Sequence, residues 1–322
     1  MIGQSTQSNY QPVITPADLF TKYPSLQDQN GSSKTNFSSL GTSNAFLLRA
    51  NTFGMIYFHC LTIALYIAII CYSEYVYTTN STYVNYLTTY VLINIFANYY
   101  LCRQYPAVYN PVEKTELPVE IWTFCSYCQQ RQPPRCHHCP LCHKCITKRD
   151  HHCFFTGTCV GSKNQGYFTA YCFHVAVGLY IGFGVLSEYL SNTYYELFSL
   201  DFYHYFPPIT LIQVLLFQVD FLTFVLVFLM FGSFVTGIFT VFLFLWQCVL
   251  IACNFTTHEA QNAWTKGGVH WSKIKLWYNI RAVFGPIPFL PFLIPLPIFS
   301  TKTRYHASNS DKPFLWWKTI FY

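Results

Sequence analysis

The chain has 322 residues, of which 52% are hydrophobic, 20% aromatic and only 10% charged, with a formal net charge of +6. Soluble globular domains carry about 25% charged residues, so an ordinary soluble enzyme is excluded. The length alone would allow two soluble domains, but the long apolar runs override that prior.

Residues 1–45 are rich in Ser, Thr, Asn and Gln without apolar periodicity, and are expected to form a disordered cytosolic tail. A basic segment leading into an apolar one is missing, so no cleaved signal peptide is expected, and Met1-Ile2 does not fit N-myristoylation. Residues 53–103 read as the first two transmembrane helices. The first runs from about Phe53 to Val76, long enough for a core of about 30 Å. The loop Tyr77 to Val84 holds the sequon Asn80-Ser81-Thr82, a lumenal glycosylation acceptor or, so near the membrane, an ordinary polar loop. The second span, about Asn85 to Cys102, closes on Arg103, and its tyrosines suit protein contacts and the interface.

After the polar segment 120–166, residues 167–253 are expected to supply the third and fourth spans around a lumenal loop. The third is about Tyr167 to Leu190 and the loop about Ser191 to Pro208. The apolar run Ile209 to Asn254 would fit one span or two. Lys and Arg are absent from 50–102 and 164–265, and basic residues mark the cytosolic side. A single span keeps the basic C-terminal region 254–322 on the side of the cysteine-rich segment, so the fourth span is expected near Met230 to Cys253. Ile209 to Leu229 would then lie along the lumenal interface or extend a tilted helix, leaving Asp220 near water. The proline-rich stretch Pro286 to Phe299 should lie on the bilayer or against the spans, and Trp316-Trp317-Lys318 suits the same interface. No internal repeat is apparent. The fold class is therefore an all-α polytopic membrane protein, with four transmembrane helices and a cytosolic cysteine-rich domain between the second and third.

That domain organises the chain. Cys125 to Phe168 contains eight of the fourteen cysteines and five histidines. In a reducing compartment such a density reads as metal binding. The knuckles Cys125/Cys128 and Cys139/Cys142, the latter continued by Cys145, have the spacing for zinc, and the residues suffice for two closed tetrahedral sites. Candidates remain in surplus. Asp150-His151-His152-Cys153 sets an acid, two imidazoles and a thiol in consecutive positions, the ingredients of an activated nucleophile. Spacing does not decide whether Cys153 is ligand or nucleophile.

The stretch resembles the cysteine-rich domain of the DHHC protein S-acyltransferases, or palmitoyltransferases. The resemblance rests on Cys125-Ser-Tyr-Cys128, His137-His138-Cys139-Pro-Leu-Cys142-His-Lys-Cys145, then Asp150 to Cys153, Cys159, Gly161, Asn164 and Phe168. It implies one structural zinc on Cys125, Cys128, His138 and Cys145, and a second on Cys139, Cys142, His152 and Cys159. It leaves Cys153 as nucleophile, His151 as base and Asp150 as the carboxylate that orients it. Thr256, Thr257 and Glu259 resemble the family's TTxE signature, and Asn279 its C-terminal Asn element.

The implied function is transfer of a long-chain acyl group, palmitoyl first, from acyl-CoA to protein cysteines through an acyl-enzyme. The implied partners are acyl-CoA, proteins with membrane-proximal cytosolic cysteines and the bilayer, with no nucleic acid; the expected location is the Golgi or endoplasmic reticulum, with both termini cytosolic. Arg131, Arg135, Lys148, Arg149 and Lys163 are candidates for CoA phosphates or for lipid headgroups. Gly178, Gly182 and Gly184 would leave room for an acyl tail or allow close helix packing. Departures from the family pattern are Phe154-Phe155 in place of Pro-Trp, Thr158 in place of Asn, and Asn110-Pro111-Val112 in place of Asp-Pro-Gly. Cys136 is an additional thiol beside the first knuckles. The rival reading is a non-catalytic membrane zinc adaptor of an acyltransferase or another partner.

Overall fold

Long helices carry the apolar runs. A computed structural model describes residues 37–111, 122–257, 259–260 and 275–295. The expectations for the tail 1–36, for Val112, for the end of the proline-rich stretch and for Trp316-Trp317-Lys318 lie outside these residues. Helix α1 is Phe37–Val76, α2 Ser81–Gln104, and α3 Gln165–Thr193. A short 3₁₀ helix, Leu200–Tyr205, leads to α4, Pro207–Leu215; α5 is Phe221–Cys253, α6 Leu276–Phe284 and α7 Leu290–Leu293.

Among the described residues, α1 from Ala45, α3 and α5 are long and apolar enough to cross a membrane. Helix α2 has 24 residues, about 36 Å at 1.5 Å per residue, but its asparagines and threonines lower its apolarity. Three of those polar groups, Thr88, Asn94 and Asn98, turn inward. Thr88, Val91, Asn94, Ile95, Asn98, Tyr99 and Cys102 form a buried stripe at helical spacing. The Asn94 and Asn98 amides donate to carbonyls one turn back, at 3.0 and 2.9 Å. A Cβ at Gly182 would lie 2.6 Å from Leu65 carbons on α1, and one at Gly178 3.4 Å from Val91 and Ile95 on α2. These two glycines therefore serve close helix packing; Gly184 faces open space.

Two helix starts differ from expectation. Helix α1 reaches back to Phe37, into residues whose composition reads as tail, because extending an existing helix costs far less than starting one. Helix α5 begins at Phe221 rather than near Met230, because Asp220 caps it. The Asp220 carboxylate accepts from the Thr223 N–H at 2.8 Å and its hydroxyl at 3.0 Å.

The cysteine-rich domain is not helical. It consists of three antiparallel hairpins: β1 (Thr123–Cys125) with β2 (Gln130–Gln132), β3 (His137–Cys139) with β4 (Lys144–Ile146), and β5 (His151–Cys153) with β6 (Thr158–Val160). The expected all-α class is corrected here. Strands of three residues are too short for alternation to register in the sequence, yet a hairpin sets both thiols of a knuckle on one turn. The hairpins also reveal a repeat that the sequence reading missed. Cys125, Cys139 and Cys153 recur at intervals of fourteen residues, and Gln129, His143 and Gly157 take positive φ (52°, 52° and 64°) at the same step of each turn.

The C-terminal segment closes the bundle. The Asn279 amide donates to the Ala252 carbonyl at 2.7 Å, covering an acceptor in the last turn of α5. Phe292 meets the rings of Phe173, Phe244 and Phe284, and the Tyr90 hydroxyl donates to the Leu293 carbonyl at 2.7 Å, so residues 286–295 pack against the long helices.

Candidate active site and metal centres

Two groups of four side chains converge: Cys125, Cys128, His138 and Cys145, and Cys139, Cys142, His152 and Cys159, with the ligand atoms of each within 4.8 Å of one another. Register accounts for this. His138 pairs with Cys145 across the second hairpin and His152 with Cys159 across the third. A zinc at about 2.3 Å from sulfur and about 2.0 Å from nitrogen has tetrahedral edges of about 3.5–3.8 Å. Cys139 and Cys159 lie 3.6 Å from His152 Nδ1, Cys142 and Cys159 lie 3.6 Å apart, and Cys128 lies 3.3 Å from His138 Nδ1. The residues therefore fit two tetrahedral zinc ions, with no position left open for substrate. Arg149 lies against the Cys139 and Cys159 sulfurs, and Cys136 is buried beside Cys145 without joining either group.

Cys153 stands in neither group. Its hairpin has the knuckle shape, but Thr156 occupies the step that Cys128 and Cys142 hold in the other two. The knuckle amides persist: the Cys128 N–H reaches Cys125 Sγ at 3.4 Å, and the Thr156 N–H makes the corresponding bond to Cys153. Cys153 is buried in the same apolar cluster as Phe58, Tyr99, Cys102, Phe168 and Tyr171, so its sulfur meets the helix bundle rather than the metal groups. Arg103, in the last turn of α2, holds the turn by donating to the Thr156 carbonyl at 2.6 Å. A Cβ at Gly157 would strike Met55 Sδ at 2.6 Å and the Arg103 guanidinium at 2.8 Å, which, with its positive φ, restricts the position to glycine.

Cys153, His151 and Asp150 form a chain. His151 Nδ1 is 2.8 Å from Asp150 Oδ2, and the Cys153 thiol hydrogen-bonds to the same ring. Burial pushes the Cys153 thiol up, but the His151 ring and the Thr156 donors outweigh it and bring it below its ordinary value. Burial pulls His151 down, yet Asp150 and Cys153 raise it to about 9. Burial opposes the Asp150 charge as well, but its hydrogen bonds hold it below the usual carboxylate range.

Asp150 is 7% exposed and its partners come from α5 and beyond. Gln247 Nε2 donates to Oδ2 at 2.8 Å and the Thr257 N–H to Oδ1 at 2.5 Å. Thr256, Thr257 and Glu259 therefore begin a helix rather than end one. The Thr256 N–H bonds Glu259 Oε2 at 2.8 Å while the Glu259 N–H returns to Thr256 Oγ1 at 3.3 Å, a capping box. Glu259 also takes Arg135 in a two-pronged pair, 2.7 Å on each prong, and Arg135 continues to the Asn254 carbonyl at 2.7 Å. Asn164 joins three elements: it accepts from Gly161 at 2.8 Å and donates to the Cys102 and Cys159 carbonyls at 2.9 and 3.0 Å.

The basic candidates separate. Arg135 is committed to Glu259 and Asn254, Arg149 lies against thiols of the second metal group, and Lys148 reaches Gln165 Oε1 at 3.3 Å. Arg131 is exposed on β2 and Lys163 half-buried before α3. Sequence reasoning missed Gln165, Gln247, Arg103 and Thr156. Gln247 had a signal, being the one side-chain amide in the apolar helix α5.

The fold and site thus define a protein with apolar membrane-length helices, a cysteine-rich domain fitted to two zinc ions, and a buried carboxylate–imidazole–thiol chain at their junction. Residues 119–263 match the family described as DHHC palmitoyltransferase. It is 31% identical over 207 residues to palmitoyltransferase ZDHHC15 of Xenopus laevis (60% of this chain, 53% of the relative). It is 29% identical over 181 residues to palmitoyltransferase ZDHHC3 of Rattus norvegicus (54% and 53%). To palmitoyltransferase ZDHHC16A of Danio rerio it is 33% identical over 87 residues (27% and 22%). The matches span about half or less of these relatives' lengths.

Proposed function

We propose that the protein is a protein S-acyltransferase that moves a long-chain acyl group, palmitoyl first, from acyl-CoA to cysteines of proteins through an acyl-enzyme on Cys153. The observation that carries this reading is the Cys153 sulfur itself: outside both metal groups, bonded to His151, and buried against the helix bundle. The Cys153 thiolate attacks the thioester carbonyl, the carbon–sulfur bond to CoA breaks, and the departing thiolate takes a proton from the His151 imidazolium. A substrate cysteine then gives its proton to His151 and attacks the acyl-enzyme, and the bond to Cys153 breaks. Asp150 keeps the His151 ring oriented and stabilises its charge. Both steps exchange one thioester for another, so acyl-CoA supply sets the direction.

Zinc supplies folding free energy, on the order of 10 kcal/mol per structural site. Cys139, Cys142, His152 and Cys159 would hold the second ion, which would steady the turn beside His152. The acyl chain enters the bilayer side, gaining about 0.8 kcal/mol per buried CH₂. CoA stays in the cytosol, with the exposed Arg131 as a phosphate candidate. The protein is read as four spans in an endomembrane, Golgi or endoplasmic reticulum, with the zinc domain and both termini cytosolic. Its substrates are proteins with membrane-proximal cytosolic cysteines.

The test is mass spectrometry of purified protein exposed to palmitoyl-CoA. A hydroxylamine-sensitive adduct is expected on Cys153, absent in Cys153→Ala, with zinc at two per chain in both. No adduct in a protein that retains its zinc would favour the adaptor. One zinc in Cys153→Ala would make Cys153 a ligand.

A further inference from the structure

A continuous line of buried polar groups runs from Asp150 away from the site. Gln247 on α5 donates to Asp150 Oδ2 at 2.8 Å; Gln165, at the start of α3, donates its Nε2 to Gln247 Oε1 at 3.1 Å; and Lys148 donates its Nζ to Gln165 Oε1 at 3.3 Å. Gln165 is 3% exposed and Gln247 2%, so water does not compete for these bonds. The line has a direction. Lysine has donors and no acceptor when charged, whereas a carboxylate only accepts. With the Lys148 amine donating at one end and the Asp150 carboxylate accepting at the other, each amide has one favourable orientation: oxygen toward Lys148, nitrogen toward Asp150. Reversing either amide would set oxygen against oxygen.

We propose that Gln247 and Gln165 are positioning residues of the acyl transfer, which, oriented by Lys148, fix the Asp150 carboxylate so that its Oδ2 receives His151 Nδ1–H. The proposal rests on the acyltransferase reading above and goes beyond it by adding α3 and α5 to the machinery. Two donors share Oδ2, from His151 and Gln247, while Thr257 holds Oδ1. Removing the Gln247 donor frees the carboxylate to rotate about its remaining bonds and loosens the ring it orients. Gln165→Glu isolates direction from packing. It keeps the size and the acceptor for Lys148, and replaces an amide–ammonium contact by an ion pair, but it has no donor for Gln247. The Gln247 amide then gains by turning, which brings its oxygen to Asp150.

The test is single-turnover formation of the hydroxylamine-sensitive adduct on the full-length protein with palmitoyl-CoA, alongside zinc content and melting temperature. Gln247→Met and Gln165→Glu are each expected to slow the maximal acylation rate about 10-fold, the acyl-CoA concentration at half-maximal rate staying within 2-fold. Lys148→Met is expected to slow it similarly and Lys148→Arg to recover most of the loss. If Gln247→Met loses zinc or melts early, Gln165→Glu decides. Rates within 2-fold of wild type in Gln165→Glu, with the wild type acylating normally on Cys153, would overturn this proposal and leave the acyltransferase reading intact. A wild type that never acylates would overturn the acyltransferase reading itself.

Discussion

Cys153 occupies two environments at once. It is 5% exposed among apolar and aromatic side chains, which by itself favours the neutral thiol. His151 and the Thr156 donors act against that and favour the thiolate. The sign of the balance is testable. An ordinary thiol is half ionised at about pH 8.5. With Cys153 lowered, the rate of acyl-enzyme formation on wild type should reach half its plateau below that pH. His151→Gln removes the partner and leaves the burial, so its midpoint should move above pH 8.5 and its rate at pH 7 should fall at least about 10-fold. Identical midpoints in the two proteins would show that His151 does not set the ionisation of Cys153.

Elements explain what single residues do not. Each hairpin of the zinc domain is the same device, a three-residue strand, a tight turn with one positive φ, and an amide aimed back at a sulfur. In two of them the sulfur belongs to a four-residue group fitted to a metal ion. In the third, Thr156 replaces the second cysteine and the first is released toward the bundle. The ligand spacing was legible because knuckles are local: both thiols of a pair are three residues apart. Asp150, His151 and Cys153 were legible for the same reason. The fourteen-residue repeat was visible in principle, but Thr156 and the unpatterned strands hid it. The capping box of Thr256 and Glu259 was legible as a motif but not as a helix start, because its meaning lies in distant partners, Asp150 for the Thr257 amide and Arg135 for the Glu259 carboxylate. Burial would raise Glu259, but Arg135 wins and holds it below the ordinary range. The pair is 20% and 27% exposed, so solvent screens part of it. A double-mutant cycle with Arg135→Gln and Glu259→Gln is expected to return a coupling of about 1–2 kcal/mol in thermal stability. Additive losses would mean that the two side chains merely lie side by side.

At the scale of the molecule, the zinc domain fixes which end of each helix is which. Early in the apolar stretch of α1 that begins at Ala45, Gly54 abuts Phe154 and Asn51 reaches His152 at 3.4 Å. The end of α2 gives its Cys102 carbonyl to Asn164 and its Arg103 to Thr156. Helix α3 leaves the domain directly after Asn164, and just beyond α5 the chain returns Thr257 to Asp150. On the four-span reading proposed above, each of these helices would keep one end toward the same domain, and passing out and back twice would need an even number of crossings. Among the described residues apolarity singles out three of them; α2 falls short because its asparagines and threonines, of which Thr88, Asn94 and Asn98 are buried, lower its apolarity. The short helix α4 makes no crossing: nine residues rise only about 14 Å, less than half of a core of about 30 Å. A reporter inserted after Ala260 should therefore read cytosolic, as should one within 126–129, and a reporter in the loop 195–199 should read lumenal. A lumenal result after Ala260 would separate Thr257 from Asp150 by a bilayer and dismantle the site together with the topology, because the same hydrogen bond supports both.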